Sequence, residues 1–508
     1  MISVFSDVLP ILLTGLPLIA VGVAVGVVAG ALPGFGASNT LIVLFPLTLH
    51  MEVNSALILM TALFVGVRFG GAMPAILINV PGTASGAVTA LEGFPMSKLG
   101  LAGTALGVAL IASAIGSFAS GAIAIVAAPV IARVALEFGA PEIFALAIFS
   151  IVMVGQIAGE DRIKGWFAGA AGLLIGSVGV DPMWGTERGT FGFIELFDGI
   201  PVIAALVGLF AMAEVLEMAQ SIRAKTRHAA RVVKETIAER ARGILDGARY
   251  GLHKPVDLAR STAIGSFVGA LPGAGANIAS FLSYQQAVTF SPTAEDQAKF
   301  GKGNPRGIIA SESADNACAS GALVPMMSLG IPGSASTAVL LLVMTAHGLN
   351  VGPRLFAEHT VTAYAMLGAI PIAAILLLVI GFGASFVAAR LAQIPAPIIA
   401  AAIAVFALAG AYAARYLMFD VFLAIAFGVL GYIMRREGYP PQAMLIGIIL
   451  APVVEANFFI GLRQGFGSPE IFVTRPIAIG IWIVMIASVV YIAHKKKRAT
   501  SRRAEDER

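Results

Sequence analysis

The sequence predicts an all-α polytopic membrane protein with roughly 11–13 helices, counting broken or re-entrant half-helices, in two related and inverted repeats. Three observations predict it. Of 508 residues, 58% are hydrophobic and only 12% charged, about half the charge density of a soluble domain. Long apolar stretches recur from Val8 to Val490. Pro-Gly interruptions fall inside those stretches at matched places in the two halves. A chain this long and this poor in charge cannot cover itself with a water-compatible surface, so a soluble enzyme is excluded, as are disordered and disulfide-built chains.

In order, apolar segments run at 8–31, 37–49, 53–80, 100–132, 139–157, 163–180 and 199–220. They resume at 261–271, 277–290, 307–331, 335–347, 360–389, 395–414, 416–434, 442–461 and 471–493. This divides the chain into a first transmembrane half (1–220), a basic cytoplasmic linker (221–260), a second transmembrane half (261–490) and a basic cytoplasmic tail (491–508). Segments 37–49 and 335–347 are too short to cross a hydrocarbon core of about 30 Å, and read as half-helices or re-entrant segments.

The halves repeat each other. Residues 30–37 (GALPGFGA) match 269–276 (GALPGAGA) at an offset of 239. Residues 74–85 (PAILINVPGTAS) are echoed by 325–336 (PMMSLGIPGSAS) at an offset of 251. The difference between the offsets fits an extra polar stretch around Ser291–Arg306.

Charge sets the orientation. Residues 1–220 carry six Lys/Arg against thirteen Asp/Glu, whereas 221–260 carry ten against four and 491–508 seven against three. Basic segments of membrane proteins stay on the cytoplasmic side, so nucleic-acid binding is not needed to explain them. The linker and the tail are then cytoplasmic, and the N-terminus, without Lys or Arg over residues 1–9, is periplasmic. No cleavable signal peptide is evident. The single Cys318 and six scattered histidines offer no disulfide and no zinc or iron–sulfur site.

The interruptions carry the chemistry. Proline removes a backbone donor and glycine admits conformations closed to other residues. Pro33-Gly34, Pro81-Gly82, Pro272-Gly273 and Pro332-Gly333 should therefore break membrane helices, exposing backbone groups that protein, water or ligand must satisfy. Each break is followed by small polar residues: Ser38, Asn39 and Thr40; Thr83 and Ser85; Asn277 and Ser280; Ser334, Ser336 and Thr337. Half-helix N-termini suit a carboxylate, and the carbonyls ending the preceding half-helix suit sodium or another hard cation. The competing reading gives these residues only a packing role, through kinks and close helix contacts.

Ionisable residues inside apolar segments add a second cluster. Glu312, Asp315 and Asn316 precede the Pro332-Gly333 break, and Glu312 and Asp315 are spaced to share one helical face. They either help hold a coupling ion or sit in water at a helix end. Arg68 occupies the corresponding part of the first half, and His347 reads as a helix-end residue. Catalytic constellations are absent from the pattern, so no enzymatic activity, cofactor or resident metal is expected.

At these residues the chain resembles the TctA-type permeases, the large membrane subunit of the tripartite tricarboxylate transporters. The matching stretches are GALPGFGASNT (30–40), ILINVPGTASGAVTALEGFPMSKLG (76–100), GALPGAGAN (269–277) and ESADNACASGALVPMMSLGIPGSASTAVLLLVMTAHGLNVGP (312–353). The sequence VGVRFGGAMPAIL, which contains Arg68, departs from the more aromatic family pattern. The resemblance implies a bacterial inner-membrane permease working with a small four-helix membrane subunit and a periplasmic solute-binding protein. Such permeases take up tricarboxylates, dicarboxylates and other small organic acids by symport with Na+ or H+. A passive anion channel is the alternative, and an intramembrane enzyme a more remote one.

Overall fold

The computed structural model describes residues 2–32, 35–83, 85–157, 161–181, 185–223, 235–271, 275–391 and 394–490. Pro33, Gly34, Pro272 and Gly273 of the predicted site lie outside the described residues, as do 224–234 of the basic stretch and the tail at 491–508. The fold is all-helical apart from a two-residue antiparallel ladder, Gly179–Val180 against Glu187–Arg188.

The first half runs α1 (Ile2–Thr14), α2 (Leu16–Gly30), α3 (Ala37–Thr48), α4 (Val53–Ile78), α5 (Gly86–Lys98), α6 (Ala102–Ala135), α7 (Ala140–Ile157) and α8 (Arg162–Gly176). After the ladder come α9 (Val202–Leu206), a π-helical turn at Val207–Met212 and α10 (Ala213–Arg223). Next are α11 (Ile237–Leu252), α12 (Pro255–Ala270), α13 (Gly275–Thr289), α14 (Ala294–Ala298), α15 (Pro305–Gly321), α16 (Leu323–Leu329) and α17 (Ala335–Ala346). The chain ends with α18 (Leu355–Glu358), α19 (Thr360–Leu391), α20 (Ala396–Arg415), α21 (Met418–Arg436), α22 (Pro441–Gln464), α23 (Ile471–Thr474) and a further apolar helix, Pro476–Val490.

Among the described residues, seven helices are long and apolar enough to span a bilayer, eight if the α1–α2 pair, bent by 60°, is one broken span. The protein is a multi-pass membrane protein. The segments predicted as half-helices are α3 and α17, twelve residues each. Part of the basic stretch read as a linker is itself helical: α11 begins with a capping box between Thr236 and Glu239 and lies against α6, where β-carbons at Gly103 and Gly107 would meet backbone atoms of Arg240 and Ile244.

The chain divides into two compact units. One comprises Met1–Arg133 and Ile203–Ile433, the other Val134–Val202 and Met434–Arg508. In the second unit, α8 lies on α22 through glycine: a β-carbon at Gly172 would sit 2.1 Å from the Met444 carbonyl oxygen. Phe144, Phe458, Phe472 and Trp482 cluster there, and Glu142, 1% exposed, pairs with Arg475 at 2.8 Å.

The first unit holds the predicted site residues that are described. Its centre is α4, buried without interruption from Ala56 to Leu77. Small residues let the backbones approach, the usual route to tight packing where lipid supplies no hydrophobic drive. A β-carbon at Gly30 of α2 would lie 2.4 Å from the Val67 carbonyl oxygen of α4, and one at Gly269 of α12 would lie 2.3 Å from that of Cys318 on α15.

Candidate functional site

All four interruptions end one helix and start another within a few residues. α4 stops at Ile78 because Asn79 takes a left-handed conformation (φ 56°), and α16 stops at Leu329 because Gly330 does the same (φ 72°). On the far side, the Thr83 hydroxyl accepts from the Gly86 amide at 3.1 Å, and the Ser334 hydroxyl accepts from the Thr337 amide at 3.2 Å. The first-half breaks touch, since a β-carbon at Gly36 would lie 3.2 Å from the Gly82 carbonyl oxygen. The two halves meet where the Ser38 and Ser336 hydroxyls bond at 3.1 Å.

Beside this junction is a narrow crevice with room for about one water molecule. Gly269, Gly275 and Ala276 flank one break, and Gly333 and Ser334 come from another. Arg68 of α4 closes the crevice. Its Nη1 donates to Asp315 Oδ1 at 3.1 Å, with both side chains under 10% exposed, and its Cζ lies 5.1 Å from the Phe64 ring centre.

One turn from Asp315, Glu312 is 2% exposed and accepts two hydroxyl bonds, from Thr89 of α5 at 2.5 Å and Ser113 of α6 at 2.9 Å. The Asn316 amide donates to the Glu312 carbonyl at 3.0 Å, and its oxygen accepts from Ser117 at 3.3 Å. α15 is therefore a polar helix buried along nearly its whole length. That is costly in a membrane protein unless the groups are paired or face a cavity. Among the described residues no cluster of three His, Cys, Asp or Glu side chains is placed to hold a metal ion.

A family profile described as the tripartite tricarboxylate transporter TctA family matches residues 16–446. The chain belongs to the TctA family. Every helix of the junction and of the Arg68 crevice falls within the matched region. The chain is similar, at 34% identity over 474 residues, 92% of this chain and 91% of the relative, to an Agrobacterium vitis protein described as an uncharacterized 52.8 kDa protein in the TAR-I ttuC' 3' region. A second A. vitis protein, from the TAR-II ttuC' 3' region, is 30% identical over 237 residues, covering 46% of this chain and 97% of its own length. No solved structure matches. TctA proteins form a transporter family, in keeping with the expectation of a non-enzyme.

The predicted polar residues of this TctA chain fall into distinct environments. Ser38 and Ser336 join across the halves. Asn39 is 6% exposed, and its Oδ1 has no partner among the described residues. Others are engaged locally: Thr40 donates to the Gly36 carbonyl, Ser85 bonds Thr83, and Ser280 donates to the Ser311 carbonyl. Ser334 and Thr337 satisfy each other in a capping box. Asn277 is exposed, whereas Pro81 and Gly82 are half-buried and Pro332 and Gly333 buried. α3, in contrast to α17, has no side-chain cap at its N-terminus. Glu312, Asp315 and Asn316 are all buried within α15 and are not at a helix end in water. His347 ends α17, its ring nitrogens 2.7 Å from the Val343 oxygen and 3.0 Å from the Thr48 oxygen.

Sequence reasoning missed two features. Arg68 had no assigned partner, because Asp315 is 247 residues away. Glu92, fully buried, accepts from Tyr284 Oη at 2.6 Å and from the amides of Gly301, Gly303 and Asn304 at 2.5, 2.8 and 2.8 Å. The positive φ of Gly301 and Gly303 helps aim those amides at one carboxylate. Its sequence signal was a lone acid in an apolar helix facing a Gly-rich polar stretch.

Proposed function

We propose that this chain is the permease subunit of a tripartite, binding-protein-dependent secondary transporter that takes up small carboxylates by symport with Na+ or H+. The observation that carries the reading is the junction of the interruptions beside Arg68: a buried cation, an α3 N-terminus without a side-chain cap and a narrow crevice lined mainly by glycine and alanine. Helix N-termini and a desolvated guanidinium are donors suited to an organic anion, and the buried carboxylates of α15 supply acceptors for a cation. Matched contacts in the two halves support an internal duplication, the usual basis of a midplane site between repeats. A periplasmic solute-binding protein delivers the substrate, and a small four-helix membrane subunit completes the system. The complex sits in a bacterial inner membrane with the C-terminus of this chain cytoplasmic and its N-terminus periplasmic.

Counterflow in proteoliposomes containing the complete system tests the reading. Replacing Ser38-Asn39 and Ser334-Ser336 with alanines should abolish carboxylate exchange, and undiminished exchange refutes the site. Uptake that needs no binding protein and ignores ion gradients refutes symport in favour of a passive anion channel.

A further inference from the structure

We propose that Arg68 grips one carboxylate of the transported anion, and that Asp315, displaced from it, joins Glu312 in holding the coupling cation. The proposal rests on the reading of carboxylate uptake above and assigns how anion and cation are linked.

The guanidinium is poised for a second partner. A guanidinium offers five donors in a planar fork that matches a carboxylate two bonds at a time. Asp315 takes a single bond, from Nη1. Nε, shielded from solvent, has no partner among the described residues. A desolvated cation with so few contacts is under-satisfied, and the space beside it is the crevice. The Phe64 ring holds the guanidinium from one side, leaving the crevice as the approach. Most of the wall there is glycine or alanine, with Cys318 and Ser334 beside them, so small side chains leave much of the backbone open to an anion.

Charge couples the two events. Within one turn of α15 there are two buried carboxyl groups, Glu312 and Asp315, and one guanidinium to balance them. When a substrate carboxylate takes the fork of Arg68, Asp315 loses its counter-charge in a site that water reaches poorly. Two unbalanced carboxylates there are costly unless a cation enters with the substrate. The ligands for it are present: Glu312 is already ringed by the Thr89 and Ser113 hydroxyls, with the Asn316 amide beside it. Hydroxyls can rotate to turn lone pairs toward a cation, and an all-oxygen set suits Na+ or a proton on a carboxylate.

The test is uptake of labelled di- and tricarboxylates into proteoliposomes carrying the complete system, with sodium and pH varied separately. Arg68→Met should raise the KM for the anion about 100-fold or more, and Arg68→Lys, which keeps the charge but loses the fork, about tenfold. Asp315→Asn should leave the anion KM within about threefold while flattening the cation dependence. A flattened sodium response at constant pH identifies Na+, and a flattened pH profile alone identifies H+. The double variant Arg68→Met/Asp315→Asn removes both charges and should fold, since neutral replacement of a buried pair is tolerated, yet it should keep the high KM. Wild-type anion affinity and cation dependence in the double variant would show the pair to be a structural bridge and overturn the proposal. Unchanged cation dependence in Asp315→Asn would overturn its cation half. If the wild-type system takes up no carboxylate, the transport reading falls and this assignment with it.

Discussion

The α2–α4 pair of the first half and the α12–α15 pair of the second share their backbone contacts and differ in their chemistry. Gly26 meets Leu63 as Gly265 meets Ala314, Gly30 meets Val67 as Gly269 meets Cys318, and Gly70 meets Val27 as Gly321 meets Ser266. Each partner sits at the offset, 239 or 251, that aligns the two sequences. The left-handed Asn79 and Gly330 and the capping hydroxyls of Thr83 and Ser334 follow the same register. The charges do not. Positions aligned with Glu312, Asp315 and Asn316 are Thr61, Phe64 and Val65, and the position aligned with Arg68 is Ala319. Helix approach and helix breaking are thus features that the two helix pairs share. The electrostatics arise once, from residues the other half lacks.

The strongest challenge to this equivalence is steric. Gly30→Val and Gly269→Val each place a side chain within 2.4 Å of a facing carbonyl oxygen, and should cost monodisperse protein to the same extent. Size-exclusion profiles in detergent check this, and tolerance of only one of the two would break the correspondence. The next largest effect contrasts unlike positions. Glu312→Ala strands the Ser113 hydroxyl and leaves Thr89 only its bond to Ser311, and should lose about 1–3 kcal/mol. At the aligned site, the buried Thr61 hydroxyl has no partner among the described residues, so Thr61→Val should be neutral or stabilising. Denaturation midpoints in detergent measure both.

Smaller effects sharpen the match. Thr83→Ala and Ser334→Ala each remove a hydroxyl that accepts a first-turn amide, and should each cost about 1 kcal/mol. Asn79→Gly, which installs the residue found at 330, should shift stability by no more than about 0.5 kcal/mol. The smallest effect separates the starts of α4 and α15. Glu52 caps α4, whereas the neutral Asn304 caps α15. Burial raises the Glu52 pKa, but the Asn54 and Ser55 amides outweigh it and hold the carboxyl below its ordinary value. A carboxylate lowered on folding stabilises above its unfolded pKa, near 4.3, and that contribution fades as pH falls through the lower folded value. Glu52→Gln should therefore lower thermal stability slightly at neutral pH, with the gap to wild type closing in acid. Asn304→Ala should show no such acid closure.

Much of this framework was legible in the chain itself. Pro-Gly within apolar sequence marked the breaks, and segments too short to span became α3 and α17. The cap at Ser334 was also readable, since Ser-x-x-Thr is close to a known capping pattern. It reassigns Ser334 and Thr337 from free donors to groups largely satisfied within their own helix. Arg68–Asp315 and the Glu92 cradle were not legible, because each joins segments about 200 residues or more apart, and local periodicity does not say which segments meet. The helical form of 237–252 was obscured for another reason: its basic residues dominated the reading, while its glycines, at 243, 247 and 251, are where α6 approaches it.

The Glu92 cradle has a mechanical consequence. One carboxylate in the middle of α5 clasps four donors from 284–304, so that helix is riveted to the opposite half of the chain. A transport stroke that slid α5 along α15 would have to tear all four bonds at once, so the two should travel as a single rigid piece. Spin labels on Lys98 and Lys302 would then hold a constant separation through the cycle, and a separation that changed with substrate would show the rivet to be a latch.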